Sequence, residues 1–456
     1  MSGTAGAPNV ATGQTARRCP LCGKPVTPDA LGFLECSCGW GGADDPLLTA
    51  HGLTRWYRRL DRRLANAQAR LAREGKAANQ LSPIYLTVLF LISTLIYALF
   101  LAIIGLCVYL VVTSARDQDW IGVLLGGVLG AAFVLALWST RGQPRGIRMA
   151  VSDLPHLAEA LDEVRARIGA PLPQHVVLVP GTTFFADTRH PPRRLFRREL
   201  VLGVGVGALP ALSELEAKSI LAHELAHLRG SGLALHKYVV VALGALRHVM
   251  DLALEGVQGQ EGVTRSVTNI TLRRRYVLYG NMFDLLSFVI AIVSWTILLS
   301  FRLLWTILHL LDLRESRATE FRVDRAAAEA YGAQSFIGGL MGVLVATRTL
   351  RGAGRTLVQQ MRARGSRNLY EELRLHYAEL PASVIDKLRH EALAGFRTLE
   401  NSHPIDADRM RAVMAVASQH PATDAAPASS VRLIVPKGAE SADAIEVKLS
   451  ELLLGK

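Results

Sequence analysis

Charge is scarce in this 456-residue chain: Asp, Glu, Lys and Arg make up 20% of it, against about 25% in an ordinary soluble domain. Cysteines number only 5, which excludes the disulfide-rich secreted class. Residues 1–16 lack both a basic start and an apolar core, so they are expected to be a flexible lead and not a secretory signal. The charge that is present is unbalanced, with Lys+Arg 51 against Asp+Glu 39 and a net charge of +12. Half of the residues are hydrophobic and the mean hydropathy is +0.24, which excludes a disordered chain. Positive hydropathy beside a large net charge leaves two explanations: an unusually large core, or apolar residues that face lipid.

The distribution favours lipid. Ile84–Thr113 carries no charge over roughly 30 residues, where a bilayer needs about 20. Trp120–Trp138 is a second uncharged stretch, and only the polar turn Ser114–Asp119 separates the two. Residues 81–140 therefore read as a transmembrane hairpin. Arg55, Arg58, Arg59, Arg62, Arg63, Arg70, Arg73 and Lys76 precede it, and Arg141, Arg145 and Arg148 follow it. By the positive-inside rule both ends face the cytoplasm. Localisation in the inner (cytoplasmic) membrane follows, with the N-terminus inside. Within residues 46–80, Trp56–Leu71 is either a basic amphipathic helix on the anionic leaflet or a solvated helix. Nucleic acid is not the expected partner, because the basic run abuts a membrane span. Two further apolar tracts, Leu233–Leu254 and Met282–Leu311, are interrupted by charged or histidine residues.

Four cysteines form a unit. Cys19-Pro-Leu-Cys22 and Cys36-Ser-Cys38 offer four thiolates at the spacing of a tetrahedral structural zinc, within residues 17–45. Gly23 and Gly39 follow the two pairs, where turns that aim amides at sulfur require positive φ. The arrangement resembles a zinc ribbon. Cys107 lies inside the first span and is expected to be inert.

The chemistry concentrates elsewhere. His223-Glu224-Leu-Ala-His227 follows Ser213, which with Glu216 makes a capping box and marks a helix start. Residues i and i+4 share a helix face, so both imidazoles can hold one metal. Glu224 sits one step round, placed to take a proton from a water in the open position of that metal. A catalytic zinc takes three protein ligands. The third is expected on Glu315–Glu329, where Glu320 and Asp324 are again four apart. One carboxylate would bind the metal while the other orients a ligand histidine.

These residues carry a family resemblance. His223-Glu224-x-x-His227, Ser316-Arg317-x-x-Glu320-Phe321-x-x-Asp324-Arg325-x-Ala327 and Ser402-His403-Pro404-x-x-x-x-Arg409 occur in order. Together they resemble the integral-membrane zinc metalloproteases that include the CAAX prenyl protease and the heat-shock protease HtpX. The stretches Val176–Pro180, Phe184–Ala186 and Glu199–Gly203 are similar to the strands that precede the metal helix. Differences from the usual pattern are Thr183-Phe-Phe-Ala186, Val323 before Asp324, and Ile405 after His403-Pro404. The resemblance covers roughly residues 153–415.

It implies a zinc endopeptidase of the gluzincin type. His223, His227 and Glu320 would hold a catalytic zinc, Asp324 would stand behind them, and Glu224 would be the general base and later the proton donor. His403 or Arg409 would stabilise the oxyanion or order the site. Leu200, Val201, Leu202 and Gly203 would form a sheet edge that aligns an extended peptide. The implied partners are protein or peptide substrates, membrane or misfolded proteins above all, and the lipid bilayer. The fold expected is mainly α, α+β: a zincin-like domain with a small sheet over 150–416, plus the transmembrane helices and the ribbon. Residues 417–456 would be a linker leading to a strand at Val431–Val435 and a short element at Ala444–Leu454.

His223 and Glu320 must lie on one side of the membrane. An even number of crossings separates them: two, as in HtpX-like relatives, or none, with 282–311 embedded beside the site. Two would place Arg265, Arg273, Arg274 and Arg275 outside, against the charge rule, so none is favoured. A different class of reading is a catalytically silent membrane scaffold or adaptor acting through the ribbon; the intact Glu224 and ligand set argue against it. A third, a ribbon-based nucleic-acid adaptor, would bind nucleic acid in a salt-sensitive way. A tag inserted near Gly262 is expected to react with a cytosolic reagent. Protection there with labelling from outside would establish two crossings.

Overall fold

The computed structural model describes residues 17–19, 23–26, 36, 59, 62–63, 83–139, 145–189, 199–229, 238–252, 277–393, 403–414, 416 and 429–455. Cys22, Cys38, residues 1–16, most of 46–80, Arg265 to Arg275, Ser402 and 417–428 lie outside them. In chain order come β1 (Arg17–Arg18), β2 (Pro25–Val26), α1 (Pro83–Arg116), α2 (Trp120–Ser139) and β3 (Ile147–Ala150). Then follow α3 (Pro155–Ile168), β4 (His175–Val179), β5 (Phe185–Arg189), β6 (Glu199–Gly205) and α4 (Glu214–Ala226). Residues 238–252 form α5. The rest are α6 (Val277–Tyr331), α7 (Ala333–Ala363), α8 (Leu369–Glu379), α9 (Ala382–Leu393), α10 (Asp406–Val413) and α11 (Asp443–Leu453). The chain divides into two compact units, one of residues 79–144 and 230–315, the other of 1–78, 145–229 and 316–456.

The first unit is all helical. α1 and α2 are each long and apolar enough to cross a bilayer. Between them Gln118 takes a positive φ of 57°, and the Asp119 carboxylate accepts from the backbone N–H of Ile121, so the polar turn ends one helix and starts the next. The pair is seamed by glycine. A Cβ on Gly126 would sit 2.9 Å from the Val111 side chain and 3.2 Å from the Cys107 carbonyl, and one on Gly130 would sit 3.2 Å from the Cys107 side chain. Small residues spaced by four let helix backbones approach closely in a membrane, where no hydrophobic force drives them together. Cys107 is buried against this seam, facing a helix and not lipid. Phe100, Phe133 and Phe301 meet edge-on or tilted, with centroids 5.2–6.1 Å apart, and Ile96, Leu246 and Leu308 complete the core. On the outside, Leu95, Leu101, Ile121, Leu124, Trp295 and Leu299 are exposed. So continuous an apolar surface suits lipid and not water.

The second unit holds a four-stranded sheet in the order β3-β4-β6-β5. β4 and β6 run parallel, His175 opposite Val201, while β3 and β5 pair antiparallel on either side. Val176, Leu178, Leu202 and Val204 are buried, as are Leu157, Leu161 and Val164 of α3. α3 starts on Pro155 and stops at Gly169, whose φ is 64°. α4 starts as its capping box requires: the Ser213 hydroxyl accepts from Glu216 N–H, and the Glu216 carboxylate accepts from Ser213 N–H at 2.8 Å. Near the N-terminus, β1 and β2 pair antiparallel, Gly23 has a φ of 72°, and Cys19, Val26 and Cys36 are buried together.

The fold is mainly helical with a small mixed sheet, as the sequence leads one to expect. Two details differ. Residues 431–434 belong to a 3-10 turn, Ser430–Ile434, and not to a strand. Only Ser429 pairs in β fashion, with Ser213, and Ser213 is already the cap of α4, so the ladder cannot continue. The other difference concerns Leu200, Val201, Leu202 and Gly203, which occupy the inside of the sheet, bonded to β4 on one side and β5 on the other. They cannot be the edge that receives a peptide. The ring of Phe185 covers Gly203, where a Cβ would lie 2.0 Å from it.

Replacing Gly126 with Leu is expected to force α1 and α2 apart and cost about 1–3 kcal/mol, the usual range for overpacking. Gly127, with nothing within 4 Å of its Cβ position, should accept Leu without loss. Thermal unfolding of the two variants in one detergent checks the contrast.

Candidate active site

All the residues of the proposed centre lie in the second unit. α4 supplies His223 and Glu224 and ends at Ala226, so that His227 is its C-cap residue, still in helical geometry with φ −59° and ψ −26°. The i,i+4 relation survives. α6 supplies Glu320 and Asp324, and α10 with the residues before it supplies Arg409 and His403.

Donor atoms of three side chains converge. His223 Nε2 lies 3.3 Å from His227 Nε2 and 3.6 Å from Glu320 Oε2, and His227 Nε2 lies 3.7 Å from Glu320 Oε1. Zinc–ligand bonds of about 2.0–2.2 Å in a tetrahedron put neighbouring donors about 3.3–3.6 Å apart. The spacing of the two imidazoles matches that, and with one carboxylate oxygen the group could hold a metal ion. The donor set is the one catalytic zinc takes.

Behind the triangle stands a buried charge relay. His223 Nδ1 is 2.8 Å from Asp324 Oδ1, so Nδ1 carries the proton and Nε2 presents its lone pair to the metal position. The Arg409 guanidinium grips Asp324 in a fork, Nε to Oδ2 at 2.9 Å and Nη2 to Oδ1 at 2.7 Å. Asp324 is 0% exposed. Burial alone would raise its carboxyl, but the Arg409 charge and hydrogen bonds outweigh burial and hold it below the usual range. Phe336 stacks near the other side of the His223 ring, at 5.8 Å.

Glu320 follows the same balance. Burial pushes it up, while the hydrogen bond from His403 Nδ1 at 2.9 Å and the charge of Arg409 pull it well below. It is ionised at neutral pH. His227 is pushed down to about 4, by burial first and then by His223. Its imidazole is therefore neutral, the form that ligates metal. Glu224 goes the other way. Burial raises its carboxyl and nearby Glu320 adds to this, with His223, Arg409 and a backbone hydrogen bond from Ala186 opposing. A carboxylate held above its ordinary pKa is suited to proton transfer near neutrality.

Glu224 and His223 open onto a cavity of about 470 Å³. Phe184, Ile220, Leu340, Val343 and Leu350 give it an apolar lining, and Arg351 stands at its exposed side. Thr182 and Thr347 share a hydrogen bond of 2.6 Å in its wall.

The structure thus brings together His223, Glu224, His227, Glu320, Asp324, His403 and Arg409, and leaves Leu200–Gly203 apart from them in the sheet interior. Of the four ribbon cysteines, Cys19 and Cys36 are described and Cys22 and Cys38 are not. Sequence reasoning missed β5 as the strand that touches Glu224, and it missed the cavity wall. The antiparallel β5–β6 pair is separated by a long connection (residues 190–198), so no tight-turn signal betrays which of them lies outermost.

Fold and site together resemble a metallopeptidase domain of the His-Glu-x-x-His class, with Glu320 facing the two histidines where the three could hold a metal ion. Residues 197–417 match the family described as Peptidase family M48. A protein described as "Protease HtpX homolog", from Gemmatimonas aurantiaca (strain DSM 14586 / JCM 11422 / NBRC 100505 / T-27), is 30% identical over 148 residues, which is 29% of this chain and 50% of the relative. The match to Peptidase family M48 over residues 197–417 and the likeness to an HtpX homolog support a relation to the HtpX-type membrane zinc metalloproteases. It spans about half the length of the curated relative it matches. No solved structure matches it significantly.

Asp324→Asn keeps the shape of the side chain and removes the charge shared by His223 and Arg409. Loss of such an orienting carboxylate should weaken zinc binding about 10–100-fold. Competition with a zinc chelator measures this, and unchanged affinity would show that Asp324 does not hold the ligand.

Proposed function

We propose that the protein is a membrane-embedded zinc endopeptidase that cleaves membrane or misfolded proteins. The observation that carries this reading is the ligand triangle with Glu224 beside it, open to a cavity. His223, His227 and Glu320 would hold a zinc ion, which would supply Lewis-acid chemistry to a carbonyl and to water at the site. Glu224 takes the proton of the attacking water and returns it to the departing amine, a role that its raised pKa suits. His403, whose side chain is 66% exposed with Nδ1 donating to Glu320, is favoured in its protonated form by that bond, and as imidazolium its Nε2–H can donate to the carbonyl oxygen as charge develops there. Arg409 grips Asp324 in a fork and orders the site from there.

β5 replaces β6 as the strand that aligns substrate. It is the last strand of the sheet, and its Ala186 reaches Glu224. An extended peptide laid along the outer side of β5 would bond to backbone groups and lie across the metal position.

The uncharged hairpin and the exposed apolar belt of the helical unit support residence in a bilayer. The flanking arginines support an inner-membrane, multi-pass arrangement with the N-terminus and active site in the cytoplasm. The 282–311 tract, part of a single helix with exposed Ile292, Trp295 and Leu303, is read as a further membrane-embedded segment. A second, structural zinc on Cys19, Cys22, Cys36 and Cys38 is supported by the burial of Cys19 and Cys36 and by the left-handed Gly23.

Purified protein is expected to hold two zinc ions per chain and to cleave an unfolded substrate such as casein. Glu224→Gln should keep both ions and lose at least about 100-fold in cleavage rate, the scale of a general base. Elemental analysis with a gel-based assay tests both. Full activity in the Gln variant would sink the assignment of Glu224.

A further inference from the structure

The segment 429–455 lies beyond the stretch that matches the peptidase family, yet it is built into the active-site cavity. The Ser430 hydroxyl donates to the Leu209 carbonyl at 2.7 Å, and Leu433 and Ile434 are buried. α11 is pinned to α8. Glu446, 1% exposed, accepts from Asn368 Nδ2 at 2.7 Å and pairs with Arg374. The Ser450 hydroxyl accepts from Leu369 N–H at 2.9 Å. The next residue of α8, Tyr370, donates its hydroxyl to the Pro180 carbonyl at 2.8 Å, and the chain after Pro180 lines the cavity with Gly181–Phe184. One helix, α8, therefore fixes two walls of the cavity at once. At the end of α11, Leu453 joins the lining and is 42% exposed. A large apolar residue held there by a buried polar network leaves its side chain for something other than this chain's own core.

We propose that α11 is a specificity wall, in which Leu453, with Leu350 and Val343, sets the size of the apolar substrate side chain that the cavity admits. This rests on the peptidase reading for its biological meaning but not for its test. The groups that hold α11 lie in Asn368, Leu369 and Arg374, so Leu453 can change without unfastening the helix.

Zinc-loaded full-length protein carrying Glu224→Gln is titrated with labelled decapeptides that differ at one position: Ala, Leu or Phe. Adding Leu453→Trp should weaken the Phe peptide by about 10-fold relative to the Ala peptide, and Leu453→Ala should shift preference towards Phe, since one methylene in an apolar pocket changes discrimination about tenfold or more. Equal effects on all three peptides, or none, would overturn the proposal. Cleavage of the same peptides by protein with Glu224 intact runs in parallel. Absence of cleavage beside a shifted binding ratio would defeat the peptidase reading and leave the pocket standing.

Discussion

The contact on which the site depends is the one between Asp324 and its two partners. A carboxylate with no solvent access is costly unless its charge is met and its lone pairs are used. Here Arg409 meets the charge with a two-pronged hydrogen bond, and His223 uses a remaining lone pair. Three segments far apart in sequence, α4, α6 and α10, are thereby held to one another by a group that none of them could bury alone. The ligand histidine inherits its tautomer from this arrangement. Glu320, Asp324 and Asp406 face the one Arg409 guanidinium, His403 bonds to Glu320, and His227 is pushed towards its neutral form. The cluster His223, His227 and Glu320 could hold a metal ion.

The helical unit solves a different problem. Its helices contain too little charge to be told apart by ion pairs, and in lipid there is no hydrophobic gain from association. Shape does the sorting. The Gly126–Gly130 seam admits the backbone of α1, and the three phenylalanines interlock where larger gaps remain. The apolar residues left over point outward, and they explain the positive hydropathy of a chain that is also strongly basic.

The motifs were legible because each rests on a relation within a few residues. The Ser213 capping box, the four-residue steps from His223 to His227 and from Glu320 to Asp324, and the long uncharged runs are properties of one helix at a time. The order of strands was not legible in that way. β5 and β6 are both short, and which of them lies outermost depends on partners up to dozens of residues away. The same holds for Arg409. Its type and position in the downstream motif suggested a place in the site, but its fork on Asp324 comes from packing. Val431–Val435 reads as a strand by composition, yet the chain there forms the 3-10 turn Ser430–Ile434, next to a Ser213 already engaged as a helix cap.

By itself, then, the amino-acid sequence determined the metal chemistry and the two apolar helices, because helical periodicity and an absence of charge over a span length are local facts. The tertiary structure alone decided which strand lies outermost among those described, which cation holds Asp324 behind the histidine, and that Leu453 of the last helix lines the cavity. Those outcomes follow from hydrogen bonds and buried contacts between residues separated by as many as 221 positions, as Ser430 with Leu209 and Tyr370 with Pro180, and no window along the chain contains both partners.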